Sequence, residues 1–133
     1  KRNNIFGATV FSVYALTMYS IALTLFITNS SAVTAGNIGH YAYGLIGILI
    51  FSLIATIASL MTNKVFFAIL IVVDLAVVLL IPHYLFEMSA VPAGVFLLLT
   101  SVFSFYGAAA ILLNMMTGRS ILPLGKAIWT VKK

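Results

Sequence analysis

No cysteine occurs anywhere in these 133 residues, which excludes a disulfide framework, a thiolate nucleophile and any cysteine-ligated metal centre, and leaves the redox compartment unread. Charge is almost as scarce. Only 7% of the residues are charged and two are acidic, against 63% hydrophobic, so too few polar side chains exist to cover a water-soluble globule of this size. There is no P-loop, nucleophile elbow or carboxylate pair, so neither an enzyme nor a cofactor-binding protein is expected. Nor is the opening segment expected to be a signal peptide: Lys1-Arg2-Asn3-Asn4 leads into an apolar run too long for an h-region and without a small-residue cleavage pattern. The net charge of +5 does not point to nucleic acid, because the basic residues sit at the edges of apolar runs and not on a face with stacking aromatics.

What is present is long apolar sequence. Four runs stand out, roughly Ile5 to Thr28, Tyr41 to Met61, Val65 to Ile81 and Val91 to Met116. A hydrocarbon core of about 30 Å needs about 20 helical residues, so three runs are ample and the third is short but sufficient. None keeps a polar face, which argues against buried helices of a soluble bundle. The expectation is an all-α integral membrane bundle, a single transmembrane domain over residues 1–133 with four transmembrane helices and a tail from 117. A Ser/Gly/Asn loop (NSSAVTAGNIGH) follows the first run, Asn63-Lys64 makes a tight turn, and Pro82 to Ala90 links the third run to the fourth.

Charge placement orients the expected bundle. Lys1 and Arg2 precede the first span, Lys64 lies between the second and third, and Arg119, Lys126, Lys132 and Lys133 follow the fourth. All fall on one side of a four-span chain, and the positive-inside rule makes that side, with both termini, cytoplasmic in the cell membrane. Trp129 beside Lys132 and Lys133 reads either as an interfacial anchor or as part of a frayed end.

Hydroxyl and small residues recur at helical spacing: Thr17, Ser20, Thr24 and Thr28 with Tyr14 nearby, then Gly44, Gly47, Ser52, Ala55 and Ser59, then Ser101, Ser104 and Ala108. Such stripes serve helix packing in membranes. They also suit a path for a small polar anion, which needs hydroxyl groups without fixed charge strong enough to trap it. Both readings stand at this level.

The two ends of the chain are more specific. YGAAAILLN (Tyr106 to Asn114) followed by GRSILPLGK (Gly118 to Lys126), and FGATVFSVYALTMYS (Phe6 to Ser20), resemble the last helix with its tail and the third helix of the acetate uptake transporter family, the SatP/YaaH-like succinate-acetate/proton symporters and their fungal relatives. The Lys64 turn and VFFA (Val65 to Ala68) fit between them. The resemblance covers nearly the whole chain but only the last four of the family's six helices. Lys1-Arg2 resembles the loop before the third helix, so the chain is expected to begin partway through a longer protein. The family's Asn-Pro-rich opening of the first helix has no counterpart here. Thr17-Met18 replace an aromatic pair, and Met115 and Met116 replace acidic residues after the last-helix Asn.

The resemblance implies transport of acetate and other small carboxylates, proton-coupled or channel-like, by a homo-oligomer, a hexamer. It implies that Tyr14 and Ile69 belong to a narrow hydrophobic constriction, beside the alternatives that each is a packing residue. Asn114 reads as a cap of the last helix, and Gly118, Arg119, Pro123, Leu124 and Gly125 as structural.

Asp74 lies near the middle of the third span, where a charged carboxylate costs about 3 kcal/mol on insertion scales and no Lys or Arg shares its depth. It is either a proton-coupling group or a protonated acid bonded to a neighbouring helix; the resembled family carries a small apolar residue there. His83 and Glu87, with His40 on the same side, have spacing for a weak metal site, but solvated loop residues are the plainer reading, and no metal is expected. Asn29-Ser30-Ser31 matches a glycosylation sequon that short sequences reach by chance. The expected pathway residues are therefore Tyr14, Ile69, Thr17, Ser20 and Thr24, with Asp74 for protons. The rival reading is a sensor, regulator or assembly protein that keeps the bundle without a path.

Overall fold

The computed structural model describes residues 5–29 and 38–130. Lys1, Arg2, Lys132, Lys133, Ser30, Ser31 and most of the loop after the first span lie outside the described residues, as do the side chains of Thr28 and Asn29. Four α-helices follow in order: α1 (Ile5–Asn29), α2 (Tyr41–Ser59), α3 (Lys64–Phe86) and α4 (Val91–Thr117), with a 3₁₀ turn at Ile38–His40 before α2. All four are long and apolar enough to cross a membrane. At 1.5 Å per residue, α2, the shortest, reaches about 28 Å and α4 about 40 Å. The chain is an integral membrane protein.

Two compact units divide the chain, Lys1–Ile38 and Gly39–Lys133. The first holds α1 alone. In the second, α3 packs against both α2 and α4. Its buried positions Phe66, Ile69, Leu70, Val73, Asp74 and Val77 recur every three or four residues, as one helix must present them to flanking neighbours. Outward positions are bulky and apolar, including Ile54, Leu98 and Phe105, the last 75% exposed. Lipid is the solvent that accepts such a surface; water would drive it to aggregate.

Asn63 starts α3 by accepting the Phe66 N–H on its side-chain oxygen at 2.9 Å, which satisfies one of the amides a helix start leaves unpaired. α3 does not end at Ile81. It runs through Pro82 to Phe86 and closes at Glu87, which takes a left-handed φ of 55°. Proline removes one helix hydrogen bond without ending the helix, and the His83 Nδ1–H donates to the Met88 carbonyl at 2.6 Å, tying the chain just past the last turn. Pro92 stands in the first turn of α4, where its missing N–H costs nothing.

Beyond α4 the chain turns at Gly118, φ 66°, and folds back as a strap. Asn114 does not cap its helix. Its amide donates to the Leu122 carbonyl at 2.8 Å and its oxygen accepts the N–H groups of Ile121 and Leu122, so the side chain holds the returning tail. Tyr106 donates to the Pro123 carbonyl at 2.9 Å. The Val65 N–H then donates to Leu124, and the N–H groups of Ile128 and Trp129 both donate to Leu60. Trp129, exposed as an anchor would be, is thus tied by its backbone, not frayed. Gly125, φ 75°, lies so close to Lys64 that an added Cβ would meet the lysine Cβ at 2.9 Å. Any larger residue would force the tail off the α2–α3 turn.

Candidate functional site

The hydroxyl stripe of α1 is a ladder. Thr17 donates to Val13, Ser20 to Thr17 and Thr24 to Ser20, each to a backbone carbonyl at 2.8 Å. Bonding one turn back is the usual way a membrane helix satisfies serine and threonine. The three bonds commit these hydroxyls to the helix's own carbonyls. Tyr14 stands on the same helix about one turn before Thr17.

Ile69 and Asp74, five residues apart on α3, are about 140° apart around its axis and face different neighbours. Ile69 meets α4. A Cβ added to Gly107 would lie 3.3 Å from its Cδ1 and 3.5 Å from Val65 Cγ1, so the bare backbone at Gly107 lets the two helices close on this isoleucine.

Asp74 faces α2 and is 8% exposed. Its Oδ1 accepts from the hydroxyl of Ser52, itself fully buried, and its Oδ2 accepts from Thr56 at 2.7 Å. Both carboxyl oxygens are thereby satisfied by one helix face, because Ser52 and Thr56 are a single turn apart. Thr56 is a site residue that the sequence reading passed over. The signal was there: it falls four positions after Ser52, and a buried acid without a basic partner must find hydroxyls or amides. Among the described residues no buried side-chain polar atom lacks a partner.

The end of α3 remote from Lys64 is aromatic. Tyr84 packs on Tyr41 with ring centroids 5.6 Å apart and on His83 at 5.1 Å. Glu87 lies past the helix end, out of the spacing with His83 that a helix would have given, and no group of three metal-ligating side chains occurs among the described residues.

No protein-family model matches the chain, and no curated protein does. Among solved structures, that of the bacterial acetate channel SatP is similar, with a TM-score of 0.81 and 23% identity over 93% of this chain and 70% of that one. At this identity the likeness establishes a shared fold. The structure it resembles is a channel, not an enzyme.

Proposed function

We propose that the chain is a SatP-like member of the acetate uptake transporter family and passes acetate, or a small carboxylate like it, across the membrane. The observation that carries this reading is the fold shared with an acetate channel over 93% of the chain. The residues add support. Tyr14, Thr17, Ser20 and Thr24 are proposed to line the path on α1, a hydroxyl stripe without fixed charge that suits a small carboxylate or its undissociated acid. Ile69 enters through its packing: its bulk sets how closely α3 and α4 approach at Gly107, and with that the width of an aliphatic constriction. Asp74 is proposed as the proton-coupling group.

Lys64 lies against Gly125 where the tail strap crosses the α2–α3 turn, Lys126 follows that glycine and Arg119 opens the strap just past α4, which supports a cytoplasmic placement of that end by the positive-inside rule. A homo-oligomer, a hexamer by family resemblance, is the proposed assembly. Radiolabelled acetate uptake into proteoliposomes holding the full-length natural protein tests the reading. Saturable uptake, competed by other short monocarboxylates, is expected. Uptake no faster than in empty liposomes would overturn it and leave a non-transporting membrane protein.

A further inference from the structure

A membrane acid bonded only by hydroxyls has a property that an ion-paired one lacks. In the structure Ser52 and Thr56 both donate to Asp74, the arrangement that satisfies an anion. Among the described residues no fixed charge lies on the helix faces packed against Asp74. α2 carries no charged residue, with Tyr41 and Tyr43 at its first turn; α4 carries none, and its Tyr106 is bonded to Pro123. On α3 itself Lys64 and His83 stand near the two ends, with Tyr84 beside His83, and α1 has only Tyr14 and Tyr19.

We propose that Ser52, Asp74 and Thr56 form a reversible proton-binding site between α2 and α3, and that its occupancy controls carboxylate passage. Hydroxyls make this feasible because each is both donor and acceptor. When a proton binds Oδ1, the new O–H donates to Ser52 Oγ, and the serine proton turns to a carbonyl of its own helix, one turn back. Thr17, Thr100 and Ser101 already direct their hydroxyls to the carbonyl four residues earlier, so the second position is an ordinary one in this molecule. Thr56 continues to donate to Oδ2. Every polar atom remains satisfied in both states, and release reverses the exchange. A lysine or an apolar pocket in place of Ser52 would favour one state and block the cycle.

The control of passage rests on the carboxylate reading above, whereas proton binding does not, and the two are separated by measuring the site without substrate. In lipid-reconstituted full-length protein, infrared difference spectra across a pH series should show a protonated-carboxyl C=O band that grows as pH falls and is missing in Asp74→Asn. Ser52→Ala should displace the midpoint by about one pH unit, the equivalent of one hydrogen bond to a charged group, and Ser52→Thr should restore it. With substrate, the pH profile of acetate uptake should move with the infrared midpoint in each variant. A band that is constant at every pH, or absent, would overturn the proton site, leaving Asp74 as a static helix contact. A titrating band with uptake indifferent to it would overturn the control of passage. Failure of uptake in all proteins, with the band still titrating, would count against the transport reading and so against the control of passage, leaving the proton site standing.

Discussion

At the scale of the residue, Gly107 and Asn114 do the work that a hydrophobic pattern cannot express. Gly107 lets α4 reach Ile69 because it has no side chain to hold the helices apart, and a methyl there would sit 3.3 Å from a flexible isoleucine terminus. Gly107→Ala should therefore be tolerated, the isoleucine shifting and the better helix propensity offsetting the crowding. Gly107→Leu should destabilise the protein by about 1–3 kcal/mol through overpacking, seen as a lower melting temperature in detergent. A leucine variant that melts with the wild type would show that α3 and α4 do not close at this point. Asp74 shows the limit of reading single residues. Its depth in the span and its want of a basic partner are plain from the sequence, but its two partners belong to another helix whose rotation no composition supplies.

At the scale of the element, the strap after α4 is the part whose role was least visible. The sequence reading took Asn114 for a helix cap because amides are common at helix ends; its true partners are Ile121 and Leu122, a turn that only tertiary folding creates. Asn114→Ala strips three hydrogen bonds from that turn. Hydrogen exchange should then rise about tenfold or more at the amides of Val65, Ile128 and Trp129, as expected when bonds worth about 1 kcal/mol each are lost. The interior of α3 around Val73 should exchange as before. Acceleration along the whole of α3 would mean that the strap supports the helix and not merely its first turn. The end of α3 was misread for a related reason. Proline is a strong stop signal in water-soluble sequence, but a single missing N–H near a helix end is a small loss when the next turn is held by His83 and Met88.

At the scale of the molecule, the four membrane-length helices were legible because the bilayer imposes them: backbone groups that lipid cannot solvate must pair within the helix. The sidedness proposed from charge placement has its own check. The absence of cysteine provides a clean background for single-cysteine labelling with a membrane-impermeant reagent. Lys126→Cys should react only from the cytoplasmic side and Glu87→Cys only from the opposite side. The reverse pattern would invert the assigned topology, and labelling of both from one side would contradict the span count.

The strap also puts the molecule in order of time. The residues it fastens, Leu60 and Val65, leave the ribosome well before Leu124, Ile128 and Trp129, which complete their hydrogen bonds. At ordinary synthesis rates that is an interval of several seconds, during which the α2–α3 turn has been made but its latch has not. The latch is thus the last part of the described fold to close, and it can do so only after α4 has been made.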